Sequence, residues 1–145
     1  MIVLRPITQE NIDDLLSLSV HDSQKGFVST VAESLAQAYV YRDTAFPFAV
    51  YDDDRIVGFI MMGYFAAKGY HTLWKFLIDK VHQNKGYGRE ALKQGIAFLK
   101  RRFGVSEVYT GGVPENYAAK HLYEATGFRP TGLYELGMEE WCLKC

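Results

Sequence analysis

The segment Val81–Arg89 carries the residue types that proteins use to bind a phosphate group. Gly86 and Gly88 lack a Cβ atom, so an anion can approach the main chain closely at both positions. Lys85 and Arg89 add positive charge within the same segment. A helix that begins here would also offer unpaired backbone N–H groups and the positive end of its dipole. These residue types therefore predict a loop that binds a pyrophosphate.

The elements on either side of this segment fit a strand followed by a helix. Leu73–Ile78 is an apolar, aromatic run that is typical of a strand. Glu90–Lys100 repeats its apolar residues at helical spacing. A strand, a glycine-bearing turn and a helix in this order place the helix N-terminus beside the turn, where it can hold an anion.

The rest of the chain divides into short elements separated by polar or glycine-bearing turns. Thr8 is a candidate cap for a first helix, and the capping box of Thr30 and Glu33 predicts the start of a second. The predicted strands are Ile2–Ile7, Phe46–Tyr51, Arg55–Tyr64, residues 72–79, Val105–Val113, Phe128–Leu136 and Met138–Leu143. The predicted helices are Gln9–Leu18, Thr30–Tyr41, Glu90–Arg102 and Tyr117–Thr126. The order is β α α β β β α β α β β in a single domain, residues 1–145.

Composition restricts the class of protein. The 145 residues suit one domain, and a net charge of −1 argues against a nucleic-acid partner held by bulk charge. No apolar run is long enough to span a membrane, and the first residues lack a signal-peptide pattern. We therefore expect a soluble, cytoplasmic protein with no membrane partner. Cys142 and Cys145 have no second pair of metal ligands elsewhere, so we expect structural cysteines and no metal.

Two motifs in this chain resemble those of the GCN5-related N-acetyltransferases (GNAT). Gln83–Gly88 matches the family signature Q/R-x-x-G-x-G/A, and Asn116–Phe128 matches a second motif through N-x-x-A-x-x-L-Y-x-x-x-G-F. Because the element order matches too, the resemblance covers essentially the whole chain. It implies the GNAT fold, an α/β (α+β) arrangement in which about four helices flank a mixed, mostly antiparallel sheet of about seven strands.

The resemblance also implies a cosubstrate, acetyl-CoA, whose pantetheine arm lies where the fourth and fifth strands diverge. Ile78 and Val81 would offer main-chain groups to the pantetheine, and Asn116 would contact it or a nearby water. Tyr123 would sit beside the thioester sulfur as general acid, which suits a phenol because the departing thiolate needs a proton or hydrogen bond. Main-chain N–H groups would hold the pyrophosphate along Gln83, Asn84, Lys85, Gly86, Tyr87, Gly88 and Arg89.

The general base is not predicted by the resemblance. Many family members carry a carboxylate on the fourth strand upstream of the glutamine, where this chain has Thr72–Lys75. An alkyl ammonium has a pKa of about 10.4, so some group must take its proton before it can attack the thioester. Other carboxylates and a histidine remain as candidates: Glu33, His21, Glu135 and Asp79. Aromatic candidates for binding a cationic amine are Phe27, Tyr64, Trp74 and Tyr134.

The main hypothesis is an acetyltransferase that acts on a primary amine of a small molecule. A fainter resemblance to bacterial spermine/spermidine acetyltransferases favours a polyamine; it rests on the residues of Gln24–Val28, Pro47–Tyr51, Val57–Phe59 and Glu115–Asn116. An amino acid, an antibiotic or a peptide N-terminus remains open as the acceptor. The missing strand carboxylate motivates a second hypothesis, a non-catalytic acyl-CoA-binding or regulatory module. A homodimer through the closing hairpin is also open, since an exposed edge strand can pair with a neighbour.

Overall fold

One seven-stranded sheet organises residues 1–145, all of which the computed structural model describes. The strand order is β1-β2-β3-β4-β5-β7-β6, and every neighbouring pair is antiparallel except β4 and β5. The strands are β1 (Ile2–Arg5), β2 (Ala45–Asp52), β3 (Arg55–Phe65), β4 (Tyr70–Ile78), β5 (Glu107–Gly112), β6 (Arg129–Glu135) and β7 (Met138–Lys144). The helices are α1 (Ile12–Leu16), α2 (Val31–Val40), α3 (Tyr87–Phe103) and α4 (Tyr117–Thr126). The fold and element order predicted from the sequence are confirmed.

Helices cover both faces of the central strands, and β3 is buried on both sides. On one face α3 and α4 pack through apolar residues such as Leu92 and Leu99 against Ile60 of β3. On the other face α1 and α2 pack through residues such as Leu15 against Phe59. Adjacent strand residues point to opposite faces, so β3 needs the nearly unbroken apolar run that its sequence has. None of the helices has the length and apolar character that crossing a bilayer demands.

The first helix is shorter than the sequence predicted. It begins at Ile12 and not at Gln9, with Asn11 at its N-cap position. The Asn11 side chain accepts a hydrogen bond from the Thr8 N–H at 2.8 Å and donates to the Pro6 carbonyl at 3.0 Å. These bonds hold residues 8–11 as a turn, because the buried amide of Asn11 must keep its polar atoms paired. Thr8 is therefore not the helix cap.

Two features of β4 shape the region beyond it. Met61 pairs with Lys75 whereas Met62 pairs with Leu73, so Trp74 is an extra residue that makes a β-bulge. Asp79, one of the candidate bases, follows the strand, has no part in this bulge and accepts a hydrogen bond from the Ser19 N–H at 2.9 Å. β4 also shares one register pair with its parallel neighbour β5, after which the two strands diverge.

Candidate active site

The start of α3 presents backbone N–H groups that no protein group caps. The helix begins at Tyr87, earlier than the predicted Glu90, and the residue before it, Gly86, has φ of 82°. No side chain bonds to this helix end, and the first intrahelical bond runs from the Glu90 N–H to the Gly86 carbonyl. Asn84 also adopts a positive φ, 63°. The main chain therefore curls into a concave turn at the positive end of a five-turn helix, which is an anion-binding geometry.

The cations near this turn are free to meet an anion. Lys85 and Arg89 are both exposed and neither forms an ion pair within the chain. The Tyr87 side chain, by contrast, points away and donates its hydroxyl to Asp52 at 2.7 Å. Tyr87 can thus offer only its main chain to a ligand, while its side chain anchors the helix start to the β2–β3 turn.

A pair of amides holds the turn against the end of β4. The Gln83 side chain donates to the Ile78 carbonyl at 2.9 Å and exchanges two hydrogen bonds with the Gln24 amide. Gln24 comes from the loop between α1 and α2, so two distant segments meet here. The glutamine of the signature is therefore a positioning residue for the turn. Val81 lies between Ile78 and Gln83 in the sequence, and its side chain is exposed.

The gap between β4 and β5 connects this turn to the interior of the sheet. A Cβ built on Gly88 would lie 3.7 Å from Phe76 and Ile78 of β4 and 3.8 Å from Leu122 of α4. Gly88 thus faces the gap that opens where β4 and β5 diverge. Thr110 reaches back across the gap with a 3.3 Å hydrogen bond to the Leu73 carbonyl. We call the region between the diverging ends of β4 and β5, from the anion-binding turn to Thr110, the slot.

Tyr123 lies at the inner end of this slot. Its side chain is 8% exposed, packs against Trp141, and its hydroxyl would lie 3.9 Å from a Cβ on Gly112. Burial raises the pKa of Tyr123, and interaction with the Thr110 side chain offsets part of the shift. The phenol therefore stays protonated, as a proton donor must. Asn116 caps α4 through a 3.3 Å bond from the Ala119 N–H.

A cavity of about 690 Å³ opens where the first half of β4 meets the end of β5, and acidic and aromatic side chains line it. Its floor includes Thr110 and Gly111 of β5, beside the slot. Three of its lining residues are carboxylates from the β6–β7 hairpin: Glu135, Glu139 and Glu140. Its aromatic walls come from Tyr41, Tyr64, Phe65, Tyr70 and Trp74. The cavity offers negative charge and aromatic faces, the two features that attract an organic cation.

The carboxylates of this cavity differ in their surroundings. Glu140 accepts hydrogen bonds from Tyr70 at 3.1 Å and from Thr131 at 2.9 Å. Glu135 forms a 2.9 Å ion pair with Lys68. Glu139 is 8% exposed, and one of its oxygens, Oε1, has no hydrogen-bond partner. Burial and the neighbouring carboxylate of Glu140 raise the pKa of Tyr70 to about 12, so its hydroxyl remains a donor.

The two side chains predicted as tentative bases lie outside this cavity. Glu33 completes the predicted capping box of α2, accepting from the Thr30 N–H at 2.9 Å and the Thr30 hydroxyl at 3.0 Å. These bonds lower the pKa of Glu33, which makes its carboxylate a weaker base. His21 is exposed and precedes the 3-10 turn Asp22–Gln24. Neither residue lines the cavity.

Sequence reasoning missed Glu139 and Glu140 as residues of the site. A signal was present for Glu139, because it alternates with the buried Trp141 along β7 and so occupies a core-facing position. A carboxylate at such a position is uncommon and indicates a special role. Of the aromatic candidates, Tyr64 and Trp74 line the cavity, whereas Phe27 and Tyr134 do not.

Comparison with known proteins defines the class to which this fold and site belong. Residues 12–128 match the acetyltransferase (GNAT) family. The chain belongs to that family and is an acetyltransferase.

Individual relatives fit the same class. The chain is 26% identical over 150 residues to a spermine/spermidine N(1)-acetyltransferase of Bacillus subtilis (strain 168), covering 97% of this chain and 96% of the relative. The PaiA N-acetyltransferase of Thermoplasma acidophilum, solved with coenzyme A, has a TM-score of 0.78 at 16% identity, with 100% and 99% of the two chains covered. The spermidine N-acetyltransferase of Vibrio cholerae, solved with CoA and spermine, has a TM-score of 0.75 at 17% identity, with 99% and 95% covered. The two solved structures share the fold of this chain.

Proposed function

We infer that this protein transfers the acetyl group of acetyl-CoA to a primary amine of an aliphatic polyamine such as spermidine or spermine. The observation that carries this proposal is the acidic, aromatic cavity that adjoins the slot holding Tyr123. A polyamine has several cationic centres joined by apolar chains, so it matches a cavity with three carboxylates and apolar walls. An amino acid would instead bring its own carboxylate into this acidic cavity.

The donor side of the proposal rests on the turn and the slot. The N–H groups and cations of Gln83–Arg89 suit a pyrophosphate, and the narrow slot between β4 and β5 suits an extended arm. In this arrangement Ile78 and Val81 offer main-chain groups to the pantetheine, and Asn116 lies at the start of α4 on the opposite side. Relatives solved with coenzyme A support this assignment.

The chemistry is a direct attack of the neutral amine on the thioester carbonyl. The nitrogen–carbon bond forms to give a tetrahedral intermediate, and the carbon–sulfur bond then breaks. Tyr123 gives its proton to the departing thiolate, and the nitrogen loses one of its two protons as the amide forms, which restores the Tyr123 phenol. The raised pKa of Tyr123 keeps the phenol in the protonated form that this step uses. Catalytic roles for Glu33 and His21 stay predictions from the sequence.

An amine panel tests the acceptor class. Release of free CoA thiol is followed with spermidine, spermine, putrescine, a monoamine of similar length, a free amino acid, an aminoglycoside and a peptide with a free N-terminus. We expect kcat/KM to be highest for the polyamines, with the monoamine at least about tenfold poorer because it lacks a second cation for the cavity. Turnover of the amino acid, aminoglycoside or peptide in preference to polyamines would contradict the acceptor assignment. CoA binding without turnover of any amine would instead favour the non-catalytic module.

Assembly and location are further parts of the proposal. β6 is exposed along its whole length and lies at the edge of the sheet, which supports pairing with a second copy in a homodimer. The cytoplasmic location stays a prediction.

A further inference from the structure

We propose that Glu139 is the general base that takes the proton of the acceptor ammonium, in place of the carboxylate that the fourth strand lacks. This inference rests on the proposed acetyl transfer. It assigns a catalytic residue that neither family motif contains.

The Glu139 carboxylate is buried, and only one of its two oxygens accepts a hydrogen bond. Its Oε2 accepts the Tyr134 hydroxyl at 2.7 Å, which fixes the orientation of the group. Its Oε1 accepts no hydrogen bond, and its one charged neighbour is the Lys120 amino group, with which it forms a long ion pair at 3.9 Å. Buried carboxylate oxygens are normally paired, so an unpaired one in a ligand cavity indicates a partner that arrives with the ligand.

Glu139 is placed on the same face of the sheet as the general acid. In the β5–β7 ladder Glu139 is opposite Gly112, and opposed residues of an antiparallel pair project to the same face. The Cβ direction at Gly112 points at Tyr123, whose ring lies 3.6 Å from that position. Glu139 also lines the acceptor cavity together with Thr110 and Gly111. The carboxylate therefore borders both the amine site and the slot.

The other carboxylates of the cavity are already engaged. Both oxygens of Glu140 accept hydrogen bonds, from Thr131 and from Tyr70. Glu135 is half exposed and paired with Lys68. Glu139 is the one carboxylate of the cavity that is shielded from solvent and has an oxygen that accepts no hydrogen bond.

The proton inventory of the step balances with Glu139 as acceptor. The alkyl ammonium gives one proton to Glu139 and becomes a neutral amine, which attacks the thioester carbonyl. Tyr123 protonates the thiolate, and the second nitrogen proton restores the Tyr123 phenol. Glu139 returns its proton to solvent, so one proton is released for each acetyl group transferred. The charged and titratable groups around Glu139 are Lys120 and Tyr123 of α4, Tyr134 and Glu135 of β6, Glu140 of β7, and Lys68 and Tyr70 near the start of β4.

The test compares Glu139→Gln with wild type on putrescine and on its difluorinated analogue, whose ammonium is more acidic. Gln keeps the size of the side chain but cannot accept a proton. We expect kcat for putrescine to fall by about 100-fold or more, with the Kd for CoA unchanged. The fall in kcat caused by Glu139→Gln should be smaller for the difluorinated amine than for putrescine. For either amine it should also become smaller as the pH approaches the pKa of the acceptor ammonium. Glu124→Gln, an exposed change on α4, serves as the matched control.

The outcomes separate this inference from the proposed function. If wild type acetylates neither these diamines nor spermidine or spermine, the proposed function fails in its acceptor class; if only spermidine or spermine is acetylated, the same comparison of Glu139→Gln is made on that amine across pH. If wild type is active and Glu139→Gln keeps its kcat and pH profile, Glu139 is not the base. An equal loss on both amines would also overturn the inference, because a positioning role does not depend on acceptor pKa. If Glu139→Gln does not fold, Glu139→Asp gives the same comparison with a carboxylate that is displaced but still basic.

Discussion

The proposed acetyl transfer depends on a phenol that is withdrawn from solvent. Tyr123 is packed between Phe128 and Trp141, with its hydroxyl toward the slot and Thr110 beside it. Desolvation disfavours the phenolate, so the residue is held in the form that donates a proton. The aromatic packing also fixes the ring, and a fixed donor costs little reorganisation when the thiolate leaves.

Replacement of Tyr123 by Phe therefore separates catalysis from folding. The change removes one hydroxyl and leaves the aromatic packing in place, so we expect unfolding free energy to change by less than about 1 kcal/mol. We expect kcat to fall by about 100-fold or more with little change in the Kd for CoA. Steady-state kinetics and calorimetry measure the two quantities. Tyr117→Phe removes an exposed hydroxyl from the same helix and should leave kcat as in wild type. An unchanged kcat for Tyr123→Phe would contradict the assignment of Tyr123 as the general acid.

At the residue scale, local patterns predict some roles and miss others. The capping box of α2 follows from short-range side-chain chemistry, and the structure has it as predicted; Asn116 caps α4 by the same kind of chemistry. The position of Glu139 depends on the pairing of β7 with β5, which brings together residues far apart in sequence. No local sequence pattern specifies the register of β7 on β5, so the position of Glu139 beside the site could not be predicted.

Among the elements, α3 suits the proposed donor site because its first turn has no side-chain cap. Gly86 supplies a left-handed residue before the helix, and Gly88 adds no side chain where α3 meets β4 and α4. The sequence predicted the helix here but placed its start three residues late, since Tyr87 and Gly88 have weak helix propensity. The hydrogen bond from the Tyr87 side chain to Asp52 supplies tertiary support for this early start.

A pair of substitutions at Gly88 tests the slot. A Cβ here would make ordinary contacts at 3.7–3.8 Å, and Ala is the better helix former. Gly88→Ala should thus raise the free energy of unfolding by up to about 1 kcal/mol and keep CoA binding, in line with the G/A alternative of the signature. Gly88→Val adds two methyl groups that enter the slot, and we expect the Kd for CoA to rise at least about tenfold. Denaturant titration and calorimetry give both values.

Gly26 provides the control for the Gly88 substitutions. Gly26→Val places the same side chain in an exposed loop with no atom within 4 Å of its Cβ, so CoA affinity should not change. If Gly88→Val folds and binds CoA as tightly as wild type, the slot is not the path of the ligand.

For the whole molecule, the sheet consists of two parts that meet at the slot. Strands β1–β4 form one antiparallel block and β5–β7 another, and a single register pair joins them. The element order predicts that β4 and β5 are parallel neighbours, but their divergence was predicted only through the family resemblance. The reason is that the separation of β4 and β5 depends on contacts between segments far apart in the sequence, which no local pattern contains.

A ligand that spans the slot should join these two parts. At a concentration of about 100 times its Kd, CoA should raise the free energy of unfolding by about 2.7 kcal/mol. For a domain of this size the corresponding rise in Tm is roughly 5–10 °C.

The 3′-phosphorylated ADP portion of CoA, which lacks the pantetheine arm, should give the same rise at the same saturation because mass action alone sets it. The two ligands should differ in local hydrogen exchange, which reports openings that precede global unfolding. CoA should slow exchange at the α3 start, at the end of β5 and in the first turn of α4, whereas the nucleotide should slow it only at the α3 start. Identical exchange patterns would mean that the arm does not enter the slot, and the donor site would then be confined to the anion-binding turn.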